Sequence, residues 1–220
     1  MRTRTSRVPV AGSTCGRLTE DHPGLVGAGN DRTERVITVD ESAPQTSLRW
    51  LTTAEMIDTR TSEDLTVCWR EVANSGGAVG FPFPPVDEGE VRSASAAMIG
   101  SLDPQHRRLL VASTYDTLSG WLLLRASNNP LTQHWGEISR VQTSLRHRGT
   151  GIGRLLMEEA ARCARDDLGL TQLHLVARGG LGLEDYYGRL GWREVGRWPD
   201  ALKFSATDYR DEILMLLSLG

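Results

Sequence analysis

The segment Arg148-Gly149-Thr150-Gly151-Ile152-Gly153 constrains this chain more than any other, because it joins a strand-like run to an amphipathic helix through glycines. Upstream, residues from about Gln133 to Thr143 read as a strand. Downstream, Ile152, Leu155, Leu156, Glu159, Ala160, Cys163 and Ala164 fall on helical spacing until Leu168-Gly169 ends the helix. A glycine turn at such a junction lets backbone approach a ligand closely, and a helix start offers unpaired N–H groups and a positive dipole. A pyrophosphate suits that geometry, and Arg146, Arg148 and Arg154 add positive charge around it. The alternative is an ordinary glycine turn. The spacing matches neither the dinucleotide fingerprint nor the Gly-Lys-Ser/Thr ending of a P-loop.

The rest of the chain supplies the fold class. Leu48, Trp50 and Leu51 read as a first strand, and Leu65, Cys68, Trp69 and Val72 as a helix capped by Ser62. Asp87 and Glu90 form a capping box for a second helix carrying Val91, Ala94, Met98 and Leu102. Residues 108–113 and 119–124 read as a hairpin across Tyr115-Asp116. A strand over Leu173–Ala177, a short helix over Leu183–Leu190, and strands over Trp192–Arg197 and Ile213–Leu217 complete the order. Helices interrupting strands imply an α/β (α+β) fold, a mixed, mostly antiparallel sheet flanked by helices. Residues 1–45 show no sustained periodicity and read as a disordered or poorly ordered tail, leaving 46–220 as the single domain.

Composition narrows the function. A net charge of −3, with no basic stripe, argues against nucleic acid as partner. No apolar run is long enough to span a membrane, and no secretory signal is evident. The three cysteines, Cys15, Cys68 and Cys163, lack metal spacing, so no metal is expected; reduced thiols fit a cytoplasmic location.

Arg148-x-x-Gly151-x-Gly153 resembles the Arg/Gln-x-x-Gly-x-Gly/Ala signature of the GNAT acetyltransferase superfamily. Tyr186-Tyr187-Gly188-Arg189-Leu190-Gly191-Trp192 is similar to the Phe-Tyr-x-x-Leu-Gly-Phe segment that closes such domains. The resemblance implies an acetyl-CoA-dependent N-acetyltransferase. It places the cofactor on Arg148, Gly149, Thr150, Gly151, Ile152, Gly153 and Arg154, with backbone groups of Val141, Gln142 and Thr143 along the pantetheine arm. Thr143 and Leu145 depart from the hydrophobic residue and proline usual there, and Gly180 stands where an asparagine is frequent.

Two residues answer the proton inventory of amide formation. Glu137, on the strand leading to the turn, is the expected base, directly or through water; a surface glutamate is the alternative. Tyr187 matches the family's tyrosine and is expected to serve the departing thiolate, with Tyr186 packing inward; core packing of Tyr187 is the alternative. The resemblance also assigns the acceptor to the first two helices and their loop, hence Trp69, Phe81 and Phe83 as an apolar wall near Asp64 or Glu71, with core packing of these aromatics as the alternative, and with Glu184 and Asp185 able to hold a cation. Cys68-Trp69 followed by Gly-Gly-Ala-Val-Gly-Phe-Pro-Phe-Pro-Pro resembles aminoglycoside N-acetyltransferases acting on kasugamycin, which makes antibiotic inactivation the leading expectation. Acetylation of a protein terminus, a lysine or another metabolite, and a non-catalytic acetyl-CoA sensor, stay as alternatives. The expected partner is a small-molecule amine, and a homodimer is left open.

Overall fold

Strand-forming and helix-forming stretches alternate as the sequence dictates in the computed structural model, which describes residues 34–37, 45–77 and 79–220. The elements are β1 (Glu34–Ile37), β2 (Thr46–Leu51), α1 (Thr59–Asn74), α2 (Glu88–Gly100), β3 (Arg107–Thr114), β4 (Thr117–Ala126), β5 (Trp135–Thr143), α3 (Ile152–Arg162), β6 (Gln172–Arg178), α4 (Leu183–Gly188), β7 (Arg193–Lys203) and β8 (Tyr209–Ser218). The strands form one sheet in the order β1-β2-β3-β4-β5-β6-β8-β7. Of its neighbouring pairs only β5 and β6 run parallel, so the mixed, mostly antiparallel α/β class is met. β1 lies within the stretch expected as a tail, where it pairs antiparallel with β2; Cys15 lies outside the described residues.

Each helix is anchored by local chemistry. Asp58, rather than Ser62, caps α1: its carboxylate accepts from the Thr61 N–H at 2.7 Å, and the helix therefore begins earlier than the apolar spacing indicates. Asp87 caps α2 as expected, accepting from Glu90 N–H at 2.9 Å. Tyr115 and Asp116 both adopt positive φ, 50° and 57°, the backbone of a two-residue hairpin turn whose twist matches the strands. α3 does not stop at Arg162 but widens into a π-helical turn, Cys163–Asp167, closed by the Leu168 N–H on the Cys163 carbonyl.

Strand alternation divides the core. On β4, Trp121 and Leu123 face α1 and α2 together with Leu65, Trp69 and Val72, whereas Leu122 and Leu124 face α3 and α4 together with Ile138, Leu156 and Tyr187. β4 is thus buried on both faces. Glu159, only 6% exposed, fastens α3 to the sheet by accepting the Trp50 indole N–H at 2.9 Å, while Arg162 donates to both of its oxygens. Among the described residues no helix is long and apolar enough to cross a membrane.

Candidate active site

Two neighbouring strands that stop pairing part-way leave a wedge, and this sheet has one at its centre. β5 and β6 are in register only over Trp135–Glu137 and Gln172–His174, although β5 continues to Thr143 and β6 to Arg178. Just beyond the divergence β5 bulges. Its pairing with β4 jumps from Leu123↔Ser139 to Trp121↔Gln142, and Arg140 takes a φ of 57°. The wedge opens into a groove of about 540 Å³ whose walls are Ile138–Thr143 of β5, Leu175–Arg178 of β6, the end of α1 and the start of α4.

At one end of the groove lies the glycine turn. Gly149 and Gly151 hold φ of 78° and 90°, which residues with side chains rarely adopt, and Gly151 is the N-terminal cap of α3 without any side-chain capping bond. The first intrahelical bond there is Leu155 N–H to Gly151 O, so the amides of Ile152, Gly153 and Arg154 precede the ladder. Gly153 leaves room for its neighbour: a Cβ at this position would lie 2.7 Å from the Tyr186 hydroxyl, which would have to shift. Arg148 reaches back to the Ser75 hydroxyl at the end of α1, 3.1 Å away, and Arg154 pairs with Glu158 on the outer face of α3. Buried polar atoms normally find partners. Here both amide atoms of Gln142, 1% exposed, and the Tyr186 hydroxyl find none in the protein, which fits a groove built for a polar, elongated ligand.

The tyrosines exchange their expected places. Tyr187 is the inward one, 7% exposed and packed against Trp192, and burial pushes its phenol well above the ordinary value. Tyr186, half-buried, lies nearer the glycine turn; burial raises its phenol as well. Both line the groove. The short α4 buries the residue that continues the hydrophobic face of α3, and that residue is Tyr187.

The expected base and acceptor wall sit differently from the sequence reading. Glu137 shares the α1–α2 face of the sheet with groove-lining Ser139 but stands one pleat outside the lining, where Arg125 on β4 donates to its carboxylate. The reason is register, since Arg125 and Glu137 are directly opposite on adjacent strands. His174, opposite Glu137 on β6, stacks edge-on against Trp135, and burial lowers its imidazole. Trp69 is not a groove wall. It is fully buried between Phe81 and Trp121, with its indole N–H on the Val79 carbonyl at 2.7 Å, because its position on α1 faces the sheet. Phe81 is half-buried beneath the same loop and borders a smaller neighbouring pocket, while Phe83 is 62% exposed and lines none of these cavities. Asp64 opens on a different pocket beside Arg49 and Arg60. Glu184 and Asp185 belong to α4 but are not among the described lining residues of the groove.

The charged side chains that do line the groove are Arg140, Arg148 and Arg178; no aspartate, glutamate or histidine is among its described lining residues. Sequence reasoning missed Arg140 and Arg178, since a single arginine in a strand carries no periodic signal; only the bulge and the divergence of the strands turn them inward.

Cys68 and Cys163 are buried free thiols, and burial pushes them up to about 12 and about 11. With Cys15 replaced by serine, a disulfide reagent at pH 8 should therefore titrate neither thiol in the folded chain and both after denaturation; fast labelling of the native protein would contradict this burial. Among the described residues no group of three or more His, Cys, Asp or Glu is placed to hold a metal.

Known proteins share this architecture. A candidate phosphinothricin N-acetyltransferase superposes with a TM-score of 0.62 at 18% identity, covering 79% of this chain and 99% of its own. A candidate acetyltransferase from Salmonella typhimurium, yncA, solved with its cofactor acetyl-CoA, gives 0.61 at 17%, covering 80% of this chain and 94% of its own. At such identities the likeness is one of fold. A tRNA uridine(34) acetyltransferase from Methanocaldococcus infernus is 38% identical over 48 residues, 22% of this chain, and the chain spans only 9% of that relative's length. The sequence model of the acetyltransferase (GNAT) family matches residues 64–192, well over half of the chain and running from α1 through the groove to Trp192. By that match the chain belongs to the GNAT acetyltransferase family.

Proposed function

We propose that this chain binds acetyl-CoA in the wedge between β5 and β6 and transfers its acetyl group to the amine of a small molecule. The observation that carries the reading is the wedge itself, in which a strand edge without a ladder partner runs from Ile138 to Thr143 straight toward the uncapped start of α3. Val141, Gln142 and Thr143 would bind the pantetheine arm through backbone groups, as an added strand binds an edge. The amides around Gly149, Thr150, Gly151, Ile152, Gly153 and Arg154, with the Arg148 guanidinium, would hold the pyrophosphate. Bound acetyl-CoA supplies an activated thioester carbonyl.

The chain's own groups then manage protons. Tyr187, whose burial keeps the phenol protonated, donates a hydrogen bond to the departing sulfur. No carboxylate lines the described groove, so the proton of the attacking amine leaves by water, with Glu137 one pleat away as its acceptor and Arg125 holding that carboxylate in place. Calorimetric binding of acetyl-CoA, followed by release of free thiol in the presence of amines, tests the whole reading. Arg148→Ala should weaken acetyl-CoA binding about tenfold, the size of one charged hydrogen bond, with no change in melting temperature. Unchanged affinity would move the pyrophosphate elsewhere.

An aminoglycoside acceptor such as kasugamycin, in an antibiotic-inactivating role, is the finer form of this proposal and belongs in the same assay. The arginines of the lining work against any polycationic drug, and the buried Trp69 takes away its expected aromatic wall. Binding of acetyl-CoA without transfer to any amine would favour the sensor alternative.

A further inference from the structure

Arg140 is an unusual residue to find where it is. Its backbone sits at φ 57° in the bulge of β5, a conformation that residues with side chains rarely adopt. Its guanidinium lies over the Trp69 ring, 4.5 Å from the centroid, and leans across Gly80, where a Cβ would meet Nη1 at 2.5 Å. No hydrogen bond or ion pair joins it to any described residue, and the charge acting on it is another cation, Arg107. On the opposite wall, Arg178 of β6 repeats the arrangement. It stacks on Phe204 at 4.3 Å and its Nε is buried without a partner; Arg210 repels it, and the carboxylate of Asp208, outside the groove lining, offsets that repulsion only in part. Burial disfavours the charge on both side chains.

Burying a cation is costly unless an anion answers it, and stacking on an aromatic ring returns only part of that cost. The chain nonetheless places two half-buried cations in this groove, whose described lining carries no carboxylate. The amides proposed to hold the phosphates of the cosubstrate start α3, which packs on one face of the sheet, whereas Arg140 lies over Trp69 of α1, which packs on the other. We infer that the acceptor amine carries a carboxylate or similar anionic group, held by Arg140 with Arg178 on the facing wall, so that the enzyme selects amino-acid-like acceptors. This inference rests on the acetyltransferase reading of the groove. The two arginines act as specificity-determining residues, fixing the anionic end of the acceptor so that its amine points along β5 toward the thioester.

Matched pairs of acceptors test it: free amino acids against the corresponding amino amides, with kasugamycin and polycationic aminocyclitols alongside, each assayed by thiol release. The acids should be preferred by ~10–100-fold in kcat/KM, the range of a charged hydrogen bond. Arg140→Gln, which keeps a non-glycine side chain at the bulge, should bring acids and amides to near parity by raising KM for the acids, with acetyl-CoA affinity unchanged. Arg140→Lys keeps the charge but not the fork and should retain part of the preference, which guards against a variant that merely misfolds. Amides or polycations accepted as well as acids would overturn the inference and leave the acetyltransferase reading standing. Acid preference that survives Arg140→Gln, or an equal loss for both acceptor classes accompanied by weaker acetyl-CoA binding, would also overturn it. Absence of any acetyl-CoA binding would remove the reading on which it rests, and the inference with it.

Discussion

Tyr187→Phe should lower kcat by ~10²–10⁴-fold, the range lost with a positioned proton-handling group, while acetyl-CoA affinity and the melting temperature change little. Phenylalanine fills the same volume against Trp192 and the other ring of the pair, so packing survives and only the hydroxyl is lost. Because burial raises the phenol, it is a weaker acid than a thiol. On the proposed reading its contribution is therefore a hydrogen bond to the thiolate rather than a full proton transfer, with the amine's proton passing through water to Glu137 and the thiolate taking its own from solvent. Tyr186→Phe provides the control, since Tyr186 lies beside Gly153 at the glycine turn and should affect acetyl-CoA binding more than turnover. A Tyr187→Phe enzyme within threefold of the parent kcat would transfer the role to Tyr186 or to water.

Gly120→Ala should be the most damaging conservative change outside the groove, destabilising the chain by about 3 kcal/mol and lowering Tm by roughly 6–12 °C. A Cβ on Gly120 would lie 2.7 Å from the Gln142 carbonyl oxygen, 2.9 Å from Ile152 Cγ2 and 3.1 Å from Leu156 Cδ1. The first of these contacts is backbone, which cannot rotate away. β4, β5 and the first turn of α3 meet at this one residue, so relief by moving α3 would displace the amides proposed for the pyrophosphate. Urea denaturation with acetyl-CoA titration on the same samples should show stability and affinity falling together. A variant of parental stability would mean that α3 is free to shift without consequence.

Much of this was legible in the residues themselves, and the division follows physical range. The glycine turn, the Asp87 cap of α2 and the Tyr115-Asp116 hairpin are local, and each stands where the sequence indicates. The first cap of α1 is also local, yet Asp58 is hidden by the polar first turn that separates it from Leu65. Side-chain direction within a short helix is harder to read, and so Tyr187 rather than Tyr186 is the inward ring. Register is not local at all. The Arg125–Glu137 pairing, the burial of Trp69 between Phe81 and Trp121, and the inward turn of Arg140 and Arg178 each depend on which strands lie side by side and where they separate. A charge reading based on the acceptor loop alone therefore gives acidic and aromatic neighbours, whereas the assembled groove is lined by arginine.

The parting of β5 from β6 also has a mechanical side. The sheet is in effect two plates, β1–β5 and β6 with β8 and β7, stitched along their common border by three residue pairs. Beneath that short seam one hydrophobic core continues from Leu124 and Ile138 to Leu173, Leu175 and Met215, so the two plates are joined less by backbone than by the side chains under α3, and a ligand in the gap would add a tie where the backbone has none.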